Sequence, residues 1–166
     1  MAGTDLYPVA GCKFYIGGIT PTQIDDFIES DFVTSPDQFV EVDGWSQMGA
    51  FGDTAALIST QLINRGRDIK QKGTTNAGSM QNVFAEISED EGQIALIAAA
   101  QGDNKSNYAF KVLFNDASGA SGSEPSVAYF VGLVMNASSA GGAANTVRNL
   151  NATIEINSNV VKVAAT

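Results

Sequence analysis

The run 148–157 sets the terms for the whole chain. Leu150, Ala152, Ile154 and Ile156 alternate there with Asn149, Asn151, Thr153, Glu155 and Asn157. A strand turns successive side chains to opposite faces, so this run has one face for a core and one for water. The period recurs at 108–115, where Tyr108, Phe110, Val112 and Phe114 oppose Lys111 and Asn115. Further strands are expected at 13–16, 39–45, 56–64, 80–87 and 126–136, from β-branched and aromatic residues bounded by turn chemistry. Residues 68–72 are expected to pair back after the turn Arg65-Gly66-Arg67. About seven or eight strands, with no heptad or solenoid repeat, predict a mainly β fold: a β-sandwich or partly closed barrel.

One helix interrupts this pattern, predicted at about residues 89–101. Ser88 and Glu91 have the spacing of a capping box, and Glu89, Asp90 and Glu91 suit the positive end of a helix dipole. Ile94, Ile97, Ala98 and Gln101 fall on one side at helical spacing, and Gly102 is a stop. Two long loops are expected. One spans about 18–38, bracketed by Pro21 and Pro36 and rich in acids. The other spans about 66–79 and joins the strands on either side of it as a long-looped hairpin. The 166 residues make one domain, 1–166, with N- and C-terminal arms.

Composition narrows the chemistry. The chain has no histidine, which removes the commonest general base and metal ligand. Its one cysteine, Cys12, has no partner for an internal disulfide and is expected as a small buried hydrophobe in a cytosolic assembly. No run of 18 apolar residues is present, and the first residues lack the basic and apolar segments of a secretory signal. The net charge is −9. Residues 1–53 hold nine acids against Lys13 alone, a net of −8, while the rest is near neutral at −1. Such a surface repels phosphate backbones, so tight nucleic-acid binding is not expected.

No motif selects a catalytic, cofactor or metal site. The run G-T-T-N-A-G-S at 73–79 lacks the lysine and following helix of a phosphate loop. Asp25, Asp26, Glu29 and Asp31 lack the glycine and spacing of a calcium loop and read as a solvated acidic segment. Nothing singles out a carboxylate pair for glycoside hydrolysis. Trp45 beside Gly44 suits either packing at a strand end or stacking on a sugar. A sugar-binding β-sandwich module of a surface or adhesion protein is therefore the alternative reading.

Three pieces in fixed order carry a family resemblance: G-W at 44–45 leading to G-D at 52–53, K-G-T-T-N-A-G-S-M at 72–80, and D-E-G-Q-I-A-L-I-A-A-A at 90–100. Over about a third of the chain they resemble the major tail tube proteins of long flexible-tailed phages (siphoviruses). The resemblance implies a β-sandwich with one outer helix, hexameric rings, and rings stacked into a hollow conduit for DNA in a virion tail assembled in the host cytoplasm. A similar fold occurs in the tubes of contractile injection systems. The implied partners are other copies, the tail tip or initiator, tape-measure and terminator proteins, and DNA that passes through the lumen without specific binding. No cofactor, enzyme activity or membrane contact is implied. An acidic lumen would keep DNA centred in water, whereas a basic one would grip it. Acids on polar strand faces are the candidates to line it: Glu41, Asp43, Glu86 and Glu155. Ile24, Phe27, Ile28 and Phe32 are the candidates for contact between rings.

Overall fold

In the computed structural model, residues 6–33 and 39–166 are described. Residues 34–38 of the expected excursion, and 1–5 of the N-terminal arm, lie outside them. The chain runs β1 (Lys13–Ile19), α1 (Glu29–Val33), β2 (Val40–Glu41), β3 (Trp45–Gln47), β4 (Thr54–Thr60), β5 (Ile69–Asn76), β6 (Ser79–Ala85), α2 (Glu91–Ala99), β7 (Tyr108–Leu113), β8 (Val127–Ala140), β9 (Asn149–Ile156) and β10 (Val161–Val163). The mainly β expectation holds, and the large sheet is a half-barrel.

That sheet has the order β2-β1-β7-β8-β9-β6-β3, with β10 paired to β8, and every pairing is antiparallel. The alternation at 148–157 appears in β9 as planned: Leu150, Ala152, Ile154 and Ile156 are buried, and their polar neighbours are half-buried. Curling brings the ends of the sheet together across the core. Phe14 on β1 lies 5.8 Å from Phe84 on β6 and 5.4 Å from Trp45 on β3, strands far apart in the sheet order. Phe110 and Phe130 extend this aromatic row, with ring centroids 5.4 Å apart. Each fully buried phenylalanine contributes roughly 1.5–3 kcal/mol of transfer free energy.

β9 and β10 run along the same side of β8, separated by a four-residue break. Side chains patch the ladder in that break. The Ser158 hydroxyl accepts the Val131 N–H at 2.9 Å. Asn159 reaches the other way, accepting the Phe27 N–H at 2.7 Å and donating to the Phe27 carbonyl at 2.9 Å. This amide pair pins the acidic excursion to the second face of the sheet. Phe27 and Phe32 then bury against Tyr129, Val131 and Ala109, with Phe32 stacked on Tyr129 at 5.1 Å.

Several expectations are corrected. The 39–45 strand is two short strands, because Gly44 takes a φ of +80° and breaks it. The 66–79 segment is not a loop: most of it is β5, which pairs with β4, and the turn to β6 is only Ala77-Gly78. The strand beginning at Ser79 therefore pairs with β9 and β3 rather than with the 56–64 run. β8 continues to Ala140, four residues past the expected end of the 126–136 strand. Cys12 is half-buried rather than buried.

The helix is shorter than expected and turned differently. Asp90 caps it, accepting the Gln93 N–H at 2.8 Å, so the Asp90 signal wins over the overlapping Ser88 box. Gly92, Gln93, Leu96 and Ala99 face the core, while Ile94 and Ile97 are 52% and 37% exposed. Close approach decides this. A Cβ on Gly92 would lie 2.2 Å from the Glu41 carbonyl oxygen, so only glycine lets α2 sit on β2. Gln93 holds the helix there. It accepts the Ile87 N–H at 3.0 Å and donates to the carbonyls of Asp43 and Ala85, each at 2.8 Å.

Candidate assembly surfaces

β4 and β5 form a two-stranded sheet of their own, apart from the half-barrel. Every residue of β4 is exposed, and so are six of the eight in β5. An isolated two-stranded hairpin is marginal in water, since it has no face to bury. This one nevertheless carries Leu57 and Ile58 in its strand and Leu62 and Ile63 near its tip, all exposed. Leu57 pairs with Lys72 and Ser59 with Lys70, so Leu57, Lys70 and Lys72 share a face. Arg65 and Arg67 lie at the tip. Among the described residues, ion pairs form between Lys13 and Glu41 and between Arg148 and Glu86, and neither involves the hairpin.

The second face of the half-barrel divides in two. Over β1, β7, β10 and the first half of β8 it is apolar and covered by the excursion, with Phe27, Phe32 and Phe39 packed on it. Over β6, β9 and the second half of β8 it is polar: Gln81 pairs with Thr153, and Ser138 with Asn151. Glu155 stands at one end of this polar region, opposite Ser79.

The four candidate lumen acids do not share a surface. Glu41 is on the edge strand β2, 3.5 Å from Lys13. Asp43 lies in the link to β3, where its N–H donates to the Asp90 carboxylate at 3.3 Å. Glu86, just past β6, pairs with Arg148 at 2.6 Å. Glu155 alone belongs to the polar half-face. The four candidate inter-ring residues also separate. Phe27 and Phe32 are buried within this chain, while Ile24 and Ile28 are exposed. Sequence reasoning anticipated only part of the exposed hairpin, because the small and polar residues of 66–79 read as loop. Its signal was the pairing of 56–64 with 68–72.

Two clefts flank these surfaces. One, of about 610 Å³, is apolar and includes Tyr7, Met48, Phe51, Phe114 and Val127. Its carboxylate, Asp116, accepts the N–H and hydroxyl of Ser126. The bond from the Ser126 hydroxyl holds the Asp116 pKa below the usual carboxylate value, which suits a fixed acceptor rather than a general base. The other cleft, of about 650 Å³, is polar and lies at the root of the hairpin, between Asp26, Asp53 and Glu155. No group of three or more acidic or cysteine side chains is placed to hold a metal ion among the described residues. Trp45 is half-buried, packs on Phe14 and Phe84, and donates its Nε1–H to Asn82 at 3.2 Å, so its ring serves the edge of the core.

No family model matches the sequence, and no curated protein sequence is similar to it. Solved structures do share the fold. A chain of the anti-feeding prophage (AFP) baseplate matches with a TM-score of 0.69 at 7% identity, over 97% of this chain and 98% of that one. The sheath/tube terminator structure of PVC, an extracellular contractile injection system, matches at 0.68 and 11% identity, over 99% and 100%. The SPP1 tail tube matches at 0.62 and 12% identity, over 95% and 80%. The structural neighbours are thus components of phage tails and contractile injection systems.

Proposed function

We propose that this chain is the structural subunit of a phage tail tube, and not an enzyme. Copies join side by side into rings, six to a ring in keeping with the sequence resemblance, and rings stack into a hollow conduit for DNA. The observation that carries this reading is the fold, which over nearly the whole chain is like that of the SPP1 tail tube and of injection-system components. The hairpin adds independent support. A protein working alone has no use for four bulky apolar side chains on a two-stranded arm, whereas a polymer does.

The polar half-face over β6 and β9 is the surface we assign to the channel. Its Gln, Asn, Thr and Ser side chains offer DNA no cations, and Glu155 sits at its rim. DNA then passes without the counterion release that makes binding tight. Of the four acids named from sequence, Glu155 fits this role. The lumen of this reading is closer to neutral than to strongly acidic. A long flexible tail is the setting proposed, assembled in the host cytoplasm, with initiator, tape-measure and terminator proteins as the other partners. Negative-stain micrographs of concentrated protein, with and without tail initiator, test the proposal. Rings or hollow tubes are expected. Protein that stays monomeric by light scattering under both conditions contradicts it.

A further inference from the structure

We infer that the hairpin docks electrostatically on a second copy of this chain, with its basic tip seated at the acidic cleft beside the root of that copy's own hairpin. This rests on the tube reading and adds the contact and its chemistry. Residues 54–76 carry Arg65, Arg67, Lys70 and Lys72 against Asp68 alone, a net of +3, which leaves −12 on the rest of the chain. None of the four cations has an ion-pair partner among the described residues. At the other end of the hairpin, Asp26 and Asp53 line a polar cleft and have no ion pair among the described residues either. The cleft and the tip are at opposite ends of the arm, so a chain cannot fold its own tip into its own cleft. A neighbour can fill it.

Such a contact is heterologous: tip on one side, cleft on the other, repeated from copy to copy. It propagates without closing, as growth along a tube requires. The basic face is not a nucleic-acid surface. Leu57 stands directly opposite Lys72 and diagonal to Lys70, and Leu62 and Ile63 flank the tip. A phosphate backbone would leave these apolar groups in water, whereas a protein surface covers them while its carboxylates meet the cations. The excursion that supplies Asp26 is fixed by the Asn159–Phe27 pair, so the cleft is present before the neighbour arrives.

Charge reversal and its rescue test the contact. Arg65→Glu/Arg67→Glu changes exposed side chains and should leave the monomer's thermal unfolding unchanged. Tube elongation, followed by light scattering and electron microscopy, should fall at least about tenfold, and wild-type elongation should weaken similarly between low and high salt as exposed charges are screened. Adding Asp26→Lys/Asp53→Lys to the same chain should restore elongation, because reversed tip meets reversed cleft. Wild-type-like elongation by Arg65→Glu/Arg67→Glu would overturn the electrostatic contact and leave the tube reading standing. Failure of the four-fold variant to recover would overturn the cleft as the seat. A wild-type protein that forms neither rings nor tubes would overturn the tube reading and this contact with it. A fluorescent DNA duplex that binds the wild type, and is lost on reversing the arginines, would make nucleic acid the occupant instead.

Discussion

β9 and β4 are both antiparallel strands, eight and seven residues long, yet they are held in opposite ways. In β9 every second side chain is buried by the chain itself. In β4 none is. Hydrogen-bond ladders alone contribute little net stability in water, because the unfolded strand bonds to water equally well. The half-barrel is therefore self-sufficient, and the hairpin is an unfinished structure whose buried face belongs to another molecule.

Mutations in the two regions should break in different assays. Phe110→Ala empties a fully buried site in the aromatic row and should cost about 3–5 kcal/mol, read from the denaturant midpoint of the monomer. Leu57→Ala and Ile63→Ala should leave that midpoint within about 0.5 kcal/mol of wild type and act on assembly alone. A Leu57→Ala protein as unstable as Phe110→Ala would erase the distinction. Gln93→Ala comes next. It strands one N–H and two carbonyls where α2 meets the strand ends, and should lower stability by about 2–3 kcal/mol.

The covered half of the second face offers a subtler probe. Burial raises the pKa of the Tyr129 hydroxyl, and the nearby Glu29 charge adds to the rise. A raised pKa means the folded chain favours neutral tyrosine. The stability this gives is complete below the unfolded value, near pH 10, and is lost as pH rises through the folded one. Alkaline titration should therefore loosen the Phe27–Phe32 cover before the core, and Tyr129→Phe should remove that component. A titration curve unchanged in Tyr129→Phe would show that the cover does not report on this residue. A modest effect is expected at the helix. Ile97→Asp should cost about 1 kcal/mol, since the side chain is 37% exposed and a charge there still reaches water.

Helical spacing groups Ile94, Ile97, Ala98 and Gln101 on one side, yet Gly92, Gln93, Leu96 and Ala99 face the core, and the reason is instructive. From Ile94 to Ala100 the helix is apolar on every side, so periodicity has no polar face to orient it. What orients it is Gly92 against the β2 backbone and Gln93 bonding the Asp43 carbonyl, contacts between residues about fifty apart, with two more Gln93 bonds to the nearby Ala85 and Ile87 backbone. By contrast β7 and β9 were legible because alternation is imposed by the chain's own core. The hairpin was half-legible. Its ladder was visible in the pairing of 56–64 with 68–72, but β5 read as a loop because its small residues pack on nothing in this chain. The candidate lumen acids failed to gather for a related reason. Strand alternation assigns a residue to a face, but sheet order and curl decide which faces meet.

Hydrogen exchange on residues 54–76, compared between monomer and assembled protein, tests the central claim most directly. An arm completed by a neighbour should exchange rapidly in the monomer and slowly in the assembly, while β7, β8 and β9 stay protected in both. Equal protection of the hairpin in the two states would contradict the account.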